Sequence, residues 1–155
     1  MQPNIPYGWQ KKGEPLELEA TKSKSLKALG FLARDNSFSP YLIEGSIHSF
    51  VVVEVFEDFL SSLDPTRRKM IVMDNAPTHV SEFFQLHEEH WKQQYKVELF
   101  PLPTYSPELN IIEILWRFVK YKWLPWKAYH SIEKLQDELW NIFLNIGNEF
   151  TISFG

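Results

Sequence analysis

The sequence predicts an α/β layered domain with parallel strands in its later half. Two patterns carry this expectation. Helical segments alternate with short apolar strands, and Lys69–Met73 (KMIVM) is a nearly all-apolar run with the look of a buried central strand. Composition agrees: hydrophobic residues make up 44% of the chain and aromatics 15%, with charges well mixed, which excludes a disordered or fibrous protein.

Residues 1–20 are rich in Pro, Gly, Lys and Glu and read as a loop leading into structure. Ser25–Ala33 and Phe38–Ile47 look like strands, and the turn residues Arg34–Ser37 (RDNS) between them predict an antiparallel hairpin. Ser49 is placed to cap a helix running to about Leu63, with Val52, Val55, Phe56, Phe59, Leu60 and Leu63 on one face. The β-branched run Val51–Val53 works against its first turn. The strand Lys69–Met73 ends at Asp74, where Asn75–His79 (NAPTH) breaks it. A second helix is expected from Ser81 to about Tyr95, then a strand at Val97–Phe100. The Pro-rich loop Pro101–Pro107 leads to a third helix near Asn110–Lys122, and Pro125 ends that helical stretch. A last amphipathic helix follows Ser131, with Ile132, Leu135, Leu139, Phe143 and Ile146 inward.

No repeat or low-complexity segment interrupts the 155 residues, so a single domain over 1–155 is expected. The net charge of −4 argues against a stand-alone DNA binder, because neutralising phosphates supplies most of such affinity. It does not exclude an enzyme that cuts DNA with carboxylate-held metals. The absence of cysteine excludes disulfides and thiolate metal sites. Apolar runs fall far short of a membrane span, and Met1–Tyr7 lacks the pattern of a secretory signal, so a cytoplasmic location is expected.

Three features could carry chemistry: Asp74 after the apolar strand, Glu113 on the third helix, and the tract Tyr105–Asn110 (YSPELN) between them. A carboxylate at the mouth of a buried strand is rigidly held, which suits a hard cation such as Mg²⁺. Asp74 equally fits a turn residue that bonds backbone N–H groups within DNAPTH. Glu113 shares a helix face with Arg117 and Lys120, away from Ile112, Leu115, Trp116 and Val119. It also fits a capping box with Asn110, or a salt bridge to Arg117. Taken together, two carboxylates joined by a Pro-rich loop can converge on the same metals, although two-metal sites usually need a third acidic ligand.

Four segments in order, YGW-x-x-KGEP at Tyr7–Pro15, LIEGSIHS at Leu42–Ser49, IVMDNAPTH at Ile71–His79 and LFPLPTYSPELNIIEILW at Leu99–Trp116, resemble the conserved blocks of mariner-type DDE transposases, in particular bacterial insertion-sequence relatives. The resemblance implies a ribonuclease-H-like fold, a mixed sheet flanked by helices. It makes Asp74 and Glu113 the second and third catalytic carboxylates and ligands of Mg²⁺ or Mn²⁺ in a two-metal site. DNA, as transposon ends and target, is the implied partner, handled by a homodimer or higher assembly. Arg117, Lys120, Lys122 and His79 are the candidate DNA contacts. Trp116 falls on the apolar stripe and is expected in the core, while Trp123 and Trp126 are placed to stack on bases. The run Arg67–Lys69 reads as a solvated turn.

The chain departs from the family pattern in two places. Ile111 and Ile112 stand where the family often has Pro, which alters only the start of the helix. The family's first catalytic Asp and first, central strand precede the YGW segment, and its helix-turn-helix region lies further upstream. Here Met1 comes just before Tyr7, and neither Glu17 nor Asp35 is a substitute. The resemblance thus implies a catalytic domain without its first central strand, inactive as an isolated chain. Three other readings remain in view: a retained non-catalytic fragment that binds DNA or a full-length transposase, another ribonuclease-H-like nuclease such as a resolvase or integrase, and a globular domain whose acidic residues are only caps.

Overall fold

Turn chemistry closes the first pair of strands. In the computed structural model, which describes residues 25–104 and 106–154, Asn36 takes the left-handed conformation (φ 68°) and Asp35 Oδ1 accepts the Ser37 N–H at 2.8 Å. An Asx-type turn of this kind needs a residue that tolerates positive φ, and Asn is among the few that do. Strands β1 (Leu26–Leu32) and β2 (Phe38–Glu44) run antiparallel from it, with Leu29 opposite Tyr41. Gly45, at φ 93°, ends β2 short of the expected Ile47. The YGW segment expected to matter at Tyr7–Pro15 lies outside the described residues.

The hairpin is a wall between two cores. Leu26, Ala28, Leu32, Phe38 and Leu42 face one cluster, built around Leu115, Leu139 and Ile142; Leu29 and Phe31 face the other, built around Phe56, Phe84 and Trp91. Both clusters form because strand residues alternate sides, so a hairpin apolar on both faces requires cover on both.

Helix α1 (Ser49–Ser61) supplies one cover. Its N-cap is His48 in extended conformation with no side-chain cap bond; Ser49, expected as the cap, is already inside the first turn. The helix holds through tertiary packing of Val52, Val53, Val55, Phe56 and Leu60, all buried. Helix α2 (Glu82–Tyr95) begins at a true cap, since Ser81 Oγ accepts the Phe84 N–H at 3.3 Å. Strands β3 (Lys69–Met73) and β4 (Val97–Pro101) pair in parallel, with Ile71 opposite Leu99, as the alternation of helices and strands predicted. Lys69 is more than a solvated turn residue, for its ammonium donates to the carbonyls of Asp64, Arg67 and Tyr95 at 2.6, 3.0 and 2.9 Å and ties the start of β3 to the end of α2.

The expected burial of β3 on both faces is not met. Ile71 and Met73 pack on the α1–α2 core, but Met70 is 67% and Val72 42% exposed. Among the described residues β3 has a strand on one edge only, and β1–β2 and β3–β4 form separate two-stranded sheets. One helical layer nonetheless serves both sheets, because Leu29 and Phe31 of β1 and Ile71, Met73 and Leu99 of β3 and β4 meet the same cluster. The fold class is the mixed α/β one the sequence predicts, built from small sheets.

The chain then passes through a 3₁₀ turn (Pro107–Leu109) into α3 (Ile111–Phe118). The expected continuous helix to Lys122 is corrected at this point. From Val119 to Trp123 the backbone widens into a π-helical turn, closed by Leu124 N–H to Val119 O at 2.9 Å. Its packing reason is aromatic: Trp123 reaches both Phe118 (5.3 Å between centroids) and Phe150 (5.0 Å). Pro125 then opens a 3₁₀ segment (Trp126–His130), and Ser131 caps α4 (Ile132–Leu144), its Oγ accepting the Lys134 N–H at 3.2 Å. Leu135, Leu139 and Phe143 are buried as expected, joined by Ile142, while Ile132 and Ile146 are only partly covered. Trp116 packs edge-on to Phe38 and Phe143, at 5.8 and 6.0 Å, in keeping with its place on the apolar stripe.

Phe56 is the hub of the α1–α2 core, with ring centroids 5.0 Å from Phe31, 5.1 Å from Phe84 and 5.1 Å from Trp91. Phe56→Ala is expected to lower unfolding free energy by about 3–5 kcal/mol in chemical denaturation. Phe50→Ala, at a position 58% exposed on the same helix, should stay within about 0.5 kcal/mol of wild type.

Candidate active site

Asp74 is the first residue past β3, and the parallel pairing continues beyond it. Leu102 N–H donates to Met73 O at 2.8 Å, and the Asn75 side-chain amide donates to Leu102 O at 2.5 Å. These two bonds clamp the end of β3 to the start of the loop that leads to α3. Carboxyl ends of parallel strands are where open α/β sheets gather functional groups, because the chain diverges there and leaves a crevice.

The Asp74 carboxylate is half held and half free. Its Oδ1 accepts the Ala76 N–H at 3.1 Å and lies 2.9 Å from His79 Nδ1. His79 Nδ1 also lies 3.2 Å from the Asp74 carbonyl oxygen. Both neighbours are acceptors, so Nδ1 must carry the hydrogen. The imidazole packs against Phe56 and Phe84, with centroids 6.4 and 5.7 Å away, and is largely covered. The turn reading of Asp74 is therefore realised by Oδ1. No donor among the described residues reaches Oδ2, and the side chain is 55% exposed.

Glu113 sits in the first turn of α3. Its simpler alternatives do not hold in the structure. Asn110 occupies the N-cap without a side-chain cap bond, and only the backbone Glu113 N–H reaches Asn110 O, at 3.0 Å. Arg117 is exposed, and the ion pairs among the described residues are His79–Asp74 and Lys127–Glu138. Glu113 instead lines a cleft of about 430 Å³ with Asp74, Asn75, Thr104, Ser106 and Asn110.

The structure thus brings Asp74 and Glu113 to one cleft and sets His79 behind Asp74. Arg117, Lys120 and Lys122 do not line it; they follow on α3 and the π-turn, with the Lys120 ammonium 5.2 Å from the Tyr121 ring centroid and that of Lys122 4.2 Å from the Phe118 ring centroid. Among the described residues the side-chain donors around the cleft are oxygens of carboxylates, hydroxyls and amides, with neither sulfur nor imidazole on the lining, a set that suits Mg²⁺ or Mn²⁺. Two carboxylates are present, and no group of three metal-binding side chains occurs among the described residues.

Sequence reasoning singled out the YSPELN tract, whose Ser106 and Asn110 line the cleft, but it overlooked Asn75 and Thr104 as parts of the site. Asn75 was legible in principle, as an amide directly after a strand-end Asp. Nothing in the periodicity singles out Thr104, whose place depends on the path of the loop after β4. Asn75→Ala should cost about 1–3 kcal/mol, because it leaves the part-buried Leu102 carbonyl without its donor. Equilibrium denaturation would measure this, and an unchanged midpoint would mean that water replaces the amide.

Comparison with known sequences identifies the family. The family described as DDE superfamily endonuclease matches residues 1–136, which include β3, β4, α3 and both carboxylates. An uncharacterized protein of Sinorhizobium fredii, y4pE/y4sA, is 30% identical over 97 residues, covering 56% of this chain. The chain spans 66% of that relative's length. The chain belongs to the DDE superfamily endonucleases.

Proposed function

We propose that the protein is a mariner-type transposase domain in which Asp74 and Glu113 hold the divalent metals for DNA strand cleavage and strand transfer. The observation that carries this reading is the convergence of the two carboxylates, from separate elements, on one oxygen-lined cleft with no cationic side chain on its lining among the described residues. Bound Mg²⁺ or Mn²⁺ would polarise the scissile phosphate and make a water or a 3′-hydroxyl a better nucleophile. A third acidic ligand comes, in this reading, from outside the described residues.

The chain's own groups do the rest. His79 and the Ala76 N–H fix Oδ1 of Asp74, so the carboxylate presents Oδ2 in one orientation. The Asn75 bridge to Leu102 holds the loop that leads to Glu113 against the strand end. Arg117, Lys120 and Lys122, beyond Glu113 in the same helical run, contact DNA phosphates. Hydrolysis at a transposon end forms a P–O bond to water and breaks the bond to the 3′-oxygen, leaving a 5′-phosphate and a free 3′-hydroxyl; attack by that hydroxyl on target DNA forms one P–O bond and breaks another, releasing a target 3′-hydroxyl. Positioning is the main requirement of both displacements. Two ends must be held at once, so a homodimer or larger assembly acts on the DNA in the cytoplasm.

A second reading, a non-catalytic fragment that binds DNA or a full-length transposase, is favoured because no group of three metal-binding side chains occurs among the described residues. Mn²⁺-dependent nicking of plasmid DNA by the purified chain would overturn it. For the metal site itself, Mn²⁺ binding followed by electron paramagnetic resonance should weaken about 10–100-fold or more in Asp74→Asn and in Glu113→Gln, the loss that even outer-shell changes can cause. Unchanged binding in both variants would reduce the two residues to structural roles.

A further inference from the structure

The stretch after Glu113 segregates charge and rings. Residues 117–130 contain Arg117, Lys120, Lys122 and Lys127 and no Asp or Glu, within a chain of net charge −4. The same stretch contains Phe118, Tyr121, Trp123, Trp126 and Tyr129. The structure sorts the rings into two sets. Phe118, Trp123 and Tyr129 pack partly against the α3–α4 core, whereas Tyr121 is 55% and Trp126 43% exposed.

The backbone explains why these two rings are outside. The π-turn over Val119–Trp123 directs Trp123 onto Phe118 and Phe150, and Pro125 then starts a new turn with Trp126 at its head. Trp126 lies 6.0 Å from Tyr129 between centroids. Burial raises the Tyr129 phenol above its usual range. The Lys120 ammonium stands 5.2 Å from the Tyr121 ring centroid. Lys127 pairs with Glu138 at 3.2 Å, but no carboxylate partners Arg117, Lys120 or Lys122 among the described residues.

Exposed rings beside unpaired cations match one ligand chemistry closely. A duplex keeps its base faces stacked inside and offers the cations only phosphates, so it gives Tyr121 and Trp126 nothing to cover. Unpaired bases offer free π-faces together with phosphates. We propose that Tyr121 and Trp126 form a stacking platform for the unpaired bases of single-stranded DNA, with Arg117, Lys120 and Lys122 on its phosphates. The proposal rests on the DNA reading above, because Arg117 follows Glu113 by one helical turn and Lys120 by two, so these cations lead on from the cleft residue along one helical run.

Fluorescence anisotropy of the whole chain with a labelled single-stranded oligonucleotide, and with the duplex of the same sequence, tests this. Both titrations are run in EDTA, so the result is independent of Asp74 and Glu113, and failure here leaves the metal-site reading untouched. Tyr121→Ala and Trp126→Ala should each weaken single-strand binding roughly tenfold. Trp126→Phe should restore most of the loss, and duplex binding should be nearly unaffected by all three. Lys122→Ala should lower the salt dependence for the single strand by about 0.7 in logarithmic slope. Both rings are exposed, so unchanged thermal midpoints should accompany these effects. The proposal is overturned if wild type does not bind the single strand. It is equally overturned if the alanine variants bind it as wild type does, or lose single strand and duplex by the same factor, as a protein-docking surface or a general electrostatic patch would predict.

Discussion

The site depends on the parallel register of β3 and β4. Lys69 opposite Val97 at one end sets Met73 opposite Pro101 at the other, and the ladder carries on through Leu102 N–H to Met73 O. A slip of β3 by one residue would turn Ile71 and Met73 out of the core and expel Asp74 from the strand end. Lys69 guards the opposite end by binding three carbonyls, and Asn75 locks the near end. Two carboxylates far apart in sequence reach one cleft because both ends of a five-residue pairing are tied.

Packing beneath the site is linked to its chemistry through one ring. Phe56 belongs to the aromatic cluster with Phe84 and Trp91, and it also touches His79, whose Nδ1–H is held by Asp74. The imidazole cannot swing away without leaving that cluster, so core rigidity passes to a carboxylate that is itself largely exposed. Trp91 is anchored in turn by its indole N–H on Glu57, which keeps a fully buried ring from carrying an orphaned donor.

Much of this was legible in the sequence where residue pattern and local geometry coincide. The RDNS turn, the helix starts at Ser81 and Ser131, the strand ending at Asp74 and the parallel later half are all local or periodic signals. What could not be read depends on tertiary context. The π-turn after Phe118 depends on Trp123 finding Phe150, which is distant in sequence. His48 rather than Ser49 precedes α1 because packing of Val52 and Phe56 decides where that helix starts. The apolar run KMIVM implied cover on both faces, yet alternation alone cannot say whether cover exists, and Met70 and Val72 are open among the described residues. Of the residues lining the candidate cleft, Asp74, Glu113 and the YSPELN tract were singled out in the sequence. Thr104 was not, because membership in a cleft is a property of loop path and not of spacing.

A crystal structure of the protein soaked in Mn²⁺, with anomalous differences measured at the manganese edge, tests the central claim most directly. The account predicts a peak in the cleft within about 2.0–2.3 Å of a carboxylate oxygen from Asp74 and from Glu113, the range for a small hard cation on oxygen. It also predicts loss of that peak in Asp74→Asn crystals of the same form. A cleft without anomalous density at millimolar Mn²⁺, or manganese bound elsewhere while Asp74 keeps only its bonds to Ala76 and His79, would contradict it.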